Sequence, residues 1–168
     1  SIIRIMKLII SRHAKSSWET HHQDHNRPLS PRGIKAAGKI GKWLAQNNHQ
    51  PKGVLCSTAT RNRMTWKLMS EHLNEPLNIN YCSAIYGGTT GDLLHHLKAE
   101  EFDPVILLGH NPTIASFAGN ILRQRPHSLE FSRFPTCATV VCELNISSWQ
   151  DCEFGKANLI DFVVPRNL

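Results

Sequence analysis

The chain has 168 residues, enough for one folded unit with a substantial core, and its 40% hydrophobic content excludes a disordered polymer. Lys and Arg number 19 against 13 Asp and Glu, and the net charge of +6 favours anionic partners. The cations are scattered, apart from Arg61 with Arg63 and the group Arg123, Arg125 and Arg133, and no aromatic platform alternates with them, which argues against nucleic acid.

Strand and helix patterns alternate along the chain. A strand over 6–11 leads into a loop that runs to Pro31, with residues 1–5 read as an extension before Met6. Ser30-Pro31 reads as cap and first residue of a helix over 32–46, with Ala36, Ile40, Trp43 and Leu44 near helical spacing. Residues 53–57 form the second strand, and Thr58 or Thr60 opens a helix to Leu73 with Met64, Leu68 and Leu73 inward. A short strand over 77–82, a helix from Thr90 to Ala99 and a strand over 104–109 follow, and Asn111-Pro112 supplies N-cap and first residue of a helix to Arg123. The runs 139–144 and 159–164 read as late, antiparallel strands. The pattern predicts a single α/β domain over 1–168, a three-layer sandwich whose mostly parallel central sheet is flanked by helices, with an antiparallel late or edge strand.

Five cysteines, at 56, 82, 137, 142 and 152, form no C-x-x-C pair and no even framework, which points to a reducing compartment, the cytoplasm. The apolar run near the start is too short to span a bilayer, so no membrane partner is expected.

The chemistry concentrates where strands end. Arg12 and His13 follow the first strand, Arg61 follows the second, and His110 follows the strand over 104–109. In open α/β sheets ligands bind outside the carboxyl ends of the strands. Two guanidiniums and two imidazoles there make an anion pocket, since Arg grips phosphate through a planar fork and keeps its charge. The positive field pushes each imidazole toward neutrality, and a neutral histidine is a nucleophile toward phosphorus. Ser16, Ser17, Trp18 and Asn111 are placed to border the phosphate, with capping the plainer role for Asn111 and backbone satisfaction for the serines. Asp92, at a helix start, is a candidate proton donor and otherwise a cap residue. Lys15 reads as exposed.

These residues resemble the histidine phosphatase superfamily. Its Arg-His-Gly signature stands here as Arg12-His13-Ala14, and the segments Arg12 to Trp18, Arg27 to Gly33, Ser57 to Arg61, Gly109 to Pro112 and Phe134 to Thr136 are similar to the small SixA-type phosphohistidine phosphatases. The likeness runs from Met6 to Arg166. It implies a phosphoglycerate mutase-like fold, His13 as nucleophile, Arg12, Arg61 and His110 around the phosphoryl oxygens, no metal or other cofactor, and a phosphohistidine-bearing protein as partner. Only the resemblance says which histidine attacks.

The chain departs from the pattern at several points. Ala14 replaces the signature glycine, and Asn26 stands where an acidic residue precedes Arg27, with Asp24 nearby. The segment 84–88, where larger relatives place an acidic proton donor, has none. An alkoxide leaving group needs such an acid more than an imidazole does, which tilts the reading toward phosphohistidine. No insertion roofs the site, as suits a protein substrate. A phosphatase of small phosphoesters and a non-catalytic phosphohistidine-binding protein are the alternatives.

Other clusters carry less. Cys56 and Arg61 stand one residue short of the cysteine-phosphatase spacing, and Cys56 lies in an apolar strand. His21, His22 and His25 with Glu19 and Asp24 have ligand types suited to zinc but read as a solvated loop, and the neighbours His95 and His96 do not share a helix face. Trp18, Trp43, Trp66 and Trp149 read as core or pocket wall, with Trp18 at the site.

Overall fold

The computed structural model describes residues 4–19 and 21–168; of the segment read as an extension, residues 1–3 lie outside the described residues. Six strands, β1 (Met6–Arg12), β2 (Gly53–Ser57), β3 (Asn78–Cys82), β4 (Val105–Gly109), β5 (Thr139–Leu144) and β6 (Asn158–Val163), form one sheet in the order β3-β2-β4-β1-β5-β6. The first four run parallel, β5 is antiparallel to β1, and β6 is antiparallel to β5. The sandwich is therefore the α/β type that the sequence predicts.

Helices α1 (Pro31–Gln46) and α2 (Thr60–Ser70) cover one face, where Ile9, Val54, Ile106 and Val141 meet Ala37, Ile40, Leu44 and Met69. On the other face lie α3 (Ser83–Gly87), α4 (Thr90–Lys98), α5 (Thr113–Ile121) and α6 (Leu129–Arg133), with Leu8, Ile10, Leu107 and Val140 against Leu93, Leu97, Phe117 and Phe131. Strands buried on both faces read as continuous apolar runs, which is why β1 and β4 stand out in the sequence. Among the described residues, no helix is long and apolar enough to cross a membrane.

The chain leaves β1 toward α1 on one face and leaves β4 toward α5 on the other. The two adjacent strands are in register at Arg12 and Gly109. Their connections diverge, and a crevice opens between the strand ends.

Several local expectations change. The inward side of α1 consists of Gly33, Ala37, Ile40, Gly41 and Leu44, with Ala36 and Trp43 only half-buried. In α2 the buried residues are Arg61, Asn62, Thr65, Trp66 and Met69. Met64, Leu68 and Leu73 pack only partly, because the first turns of α2 turn their polar side toward the crevice rather than the core. The five-residue helices α3 and α6 are too short to show a period. Trp66 and Trp149 are core residues, whereas Trp18 is 76% exposed.

The start of α1 is locked to the chain that follows β1. The Ser30 hydroxyl accepts from Gly33 N–H at 3.1 Å and donates to Lys15 O at 3.2 Å, and Ser30 N–H donates to the same carbonyl at 2.9 Å. A Cβ on Gly33 would fall 2.1 Å from Lys15 O, a backbone atom that cannot rotate away. Gly33→Ala gains about 1 kcal/mol of helix propensity and, with backbone as the neighbour, loses about 3 kcal/mol to overpacking. Thermal melts should show a lower Tm for this variant; an equal or higher Tm would disprove the contact.

Candidate active site

The backbone around His13 is fixed from three sides. Its N–H donates to Gly109 O at 3.2 Å, and its carbonyl accepts from Cys137 N–H at 3.0 Å. Asn62 of α2 donates from Nδ2 to Gly109 O at 3.1 Å, so β1, β4 and α2 share one acceptor. Ala14 N–H donates to Thr65 Oγ1 at 3.0 Å, and that hydroxyl donates to Arg61 O at 2.7 Å. The Phe134 carbonyl, in a residue with φ of 46°, accepts from Arg12 Nη1 at 3.2 Å and from Asn111 Nδ2 at 2.9 Å. A left-handed Phe is a strained conformation found where surrounding contacts enforce it.

The four predicted side chains meet. The rings of His13 and His110 lie 5.2 Å apart between centroids, and Arg61 Nη2 is 3.4 Å from His110 Nδ1. Hydrogen-bond partners distinguish the two imidazoles. His13 Nδ1 lies 2.7 Å from Ala14 O, which can only accept, so Nδ1 carries the proton and Nε2 keeps its lone pair. His110 Nδ1 faces an arginine, which can only donate, so its proton sits on Nε2 and is given to Ser57 Oγ at 2.7 Å. His110 therefore has both nitrogens engaged, while His13 offers a free one.

Burial is the main cause that pushes His13 down to about 3, with His110, Arg12 and Arg61 adding to it and the bond to Ala14 O opposing. His110 is pushed down to about 4 by burial and then Arg61, with Asp24 opposing. Burial and the neighbouring Arg61 also lower Arg12. The Nε–H groups of Arg12 and Arg61 are buried without a protein acceptor among the described residues. A tetrahedral anion satisfies such donors.

Sequence reasoning missed the residue that balances Arg61. Asp24, in a single 3-10 turn, accepts from Arg61 Nη2 at 3.2 Å and from the Tyr86 hydroxyl at 2.6 Å through Oδ2. Its Oδ1 takes Arg27 Nη2 at 3.1 Å, and its carbonyl takes Arg61 Nη1 at 2.8 Å. The Tyr86 hydrogen bond first, then Arg27 and Arg61, hold the carboxyl well below the usual carboxylate range. The signal was the spacing Asp24-x-x-Arg27, which a polar loop obscured. His25, in that same loop, bonds Thr58 Oγ1 at 2.8 Å and packs edge-on against Tyr86, so Asp24 and His25 are both committed within the site wall rather than to a zinc cluster.

The remaining candidates sit nearby with other partners. Ser16 accepts from Arg27 Nη1, and Ser17 Oγ accepts from Glu19 N–H at 3.3 Å, a local turn contact. Arg27 stacks on Trp18 at 3.6 Å from the ring centroid, so Trp18 edges the loop rather than the core. Asn111 does not cap α5: Pro112 holds that position, and Asn111 Nδ2 is given to the Arg133 and Phe134 carbonyls. The Ile114 N–H at the start of α5 donates to His110 O at 2.7 Å. Asp92 completes a capping box with Thr89, which lowers its carboxyl, the opposite of what a proton donor needs. Cys56 is buried in β2, and burial pushes its thiol up. All five cysteines are free.

The sequence and the fold are similar to those of known proteins. The model of the histidine phosphatase superfamily (branch 1) matches residues 8–82. An uncharacterised protein of Mycobacterium tuberculosis is 35% identical over 164 residues, covering 92% of this chain and 99% of its own length. A candidate phosphohistidine phosphatase SixA from Nakamurella multipartitia superposes with a TM-score of 0.83 at 27% identity, covering 98% of this chain and 99% of that one. A candidate SixA from Agrobacterium tumefaciens gives 0.81 at 27% identity, covering 98% and 100%.

The depressed imidazoles set a pH dependence. The unperturbed value is about 6.5, so between there and about 3 the unfolded chain binds more protons than the folded one. Stability is then flat above pH ~6.5 and falls as pH drops below it. Thermal melts should show Tm declining below pH ~6.5, with a shallower slope in His13→Ala. A variant slope equal to wild type would show that His13 is not held neutral by folding.

Proposed function

This chain belongs to the histidine phosphatase superfamily, and we propose that it hydrolyses phosphohistidine displayed on another protein. The observation that carries the reading is the Nε2 of His13, free among the described residues and held neutral beside two guanidiniums whose Nε–H groups lack acceptors among them. Arg12 and Arg61 grip the phosphoryl oxygens, and His110, held between Ser57 and Arg61, orients the Arg61 guanidinium beside them.

The reaction runs in two displacements. His13 Nε2 attacks phosphorus, a new N–P bond forms, and the P–N bond to the substrate imidazole breaks; the departing nitrogen takes a proton from water. A second water then attacks the phosphorylated His13, its proton leaves, and inorganic phosphate departs with neutral His13 restored. The segment Ala84 to Gly88 brings no carboxyl group, and Asp92 is committed to its cap. Both features suit an easily released imidazole better than an alkoxide. The cationic side chains supply the charge stabilisation that a metal provides elsewhere, which makes the chemistry independent of divalent ions.

His13→Ala should lower kcat/KM on a phosphohistidine protein by about 10³-fold or more and abolish acid-labile labelling of the enzyme. His110→Ala should slow turnover yet still give a labelled enzyme, because its nitrogens are not the attacking ones. Labelling that persists in His13→Ala, or a strong preference for sugar phosphates over the phosphoprotein, would overturn the reading. Turnover should be unchanged in excess chelator; loss restored by added metal would refute metal independence.

A further inference from the structure

Charge is segregated in this protein, contrary to the scattered distribution read from the sequence. The first 70 residues hold 13 of the 19 cations and two of the 13 acids, Glu19 and Asp24, while the other 98 hold six cations and 11 acids. No carboxylate occurs between Arg27 and Ser70. The fold gathers this stretch into α1 and α2, where Arg32, Lys35, Lys39 and Lys42 of α1 and Arg63 and Lys67 of α2 are all exposed.

Beside α1 lies a cavity of about 340 Å³ with an apolar floor. Ala36, Pro135, Val164 and Pro165 form it together with Leu129, a large apolar side chain left 63% exposed. Its rim carries Lys15, Arg32, Arg133 and Arg166, and its one carboxylate, Glu130, is paired with Arg166 at 2.8 Å. A second hollow lined by Arg32, Lys35, Lys39 and Pro165 prolongs it along α1. Short stretches of chain link the cavity to the site. Lys15 follows His13 by two residues, and Pro135 follows Phe134, whose carbonyl holds Arg12 and Asn111.

We propose that this cavity and the basic face of α1 dock the phosphohistidine-bearing protein, through an amphipathic helix with apolar residues against Leu129 and Pro165 and carboxylates toward Lys15, Arg32, Lys35 and Lys39. The inference rests on the function proposed above. His13 is only 7% exposed, so a phosphoimidazole reaching it on one side-chain length brings its own protein surface against the rim. An apolar floor ringed by Lys15, Arg32 and Arg133, which have no carboxylate partner among the described residues, matches a helix of mixed apolar and acidic character. A nucleic-acid backbone has nothing to place on that floor, and a concave groove does not lie flat on a bilayer.

The test uses two substrates: an isolated helical-bundle histidine phosphotransfer domain phosphorylated with phosphoramidate, and free phosphohistidine. Lys35→Glu with Lys39→Glu, and separately Leu129→Ser, should lower kcat/KM on the domain by about 10-fold and leave free phosphohistidine within about twofold. Added salt should weaken wild-type turnover of the domain and not of free phosphohistidine. Variants equal to wild type on the domain, or equally impaired on both substrates, would overturn the docking surface while leaving the phosphatase reading intact. Competition by RNA or anionic vesicles that the lysine variants abolish, without any effect of those variants on the domain, would overturn it in favour of those ligands. Wild type that hydrolyses neither substrate would defeat the underlying reading, and the docking inference with it.

Discussion

The parallel pairing of β1 with β4 is the constraint on which the site depends. Because Arg12 stands opposite Gly109, the residues after both strands emerge level, and the His13 N–H reaches the Gly109 carbonyl. That carbonyl also holds Asn62, so the helix delivering Arg61 is registered against the same point. The connections then part to opposite faces of the sheet. The two histidines are set side by side by backbone geometry before any side chain interaction is counted.

Burial and partner chemistry then divide roles between two like side chains. Both rings sit among cations, and both are driven toward the neutral form. Their tautomers differ because Ala14 O can only accept and Arg61 can only donate. Arg61 itself is nearly buried, and a guanidinium taken out of water needs an anion. Half-exposed Asp24 supplies it at the terminal nitrogens, at the modest strength expected of a solvent-screened pair, and leaves Arg61 Nε–H without an acceptor.

Much of the fold is legible in the sequence because its signals are local. The strands at 53–57 and 139–144, the Ser30-Pro31 helix start and the sandwich architecture all follow from apolar runs, caps and alternation. Errors fall where tertiary contact overrides local pattern. Met64 and Leu68 read as inward because they are apolar, yet Asn62 and Thr65 take the buried positions because each has a backbone partner at the site. Asn111-Pro112 reads as a helix cap, yet the Asn111 amide is drawn across to the Phe134 carbonyl on a segment distant in sequence.

The sequence alone determined which residues stand at strand ends, since period and turn chemistry involve neighbours along the chain: Arg12, His13, Arg61 and His110 were identifiable there. Only the tertiary structure decided that His13 keeps a free nitrogen, that Asp24 answers Arg61, and that the cations of α1 border an apolar hollow beside the site. Each of these depends on distances between segments far apart in the chain, and no local pattern encodes such distances.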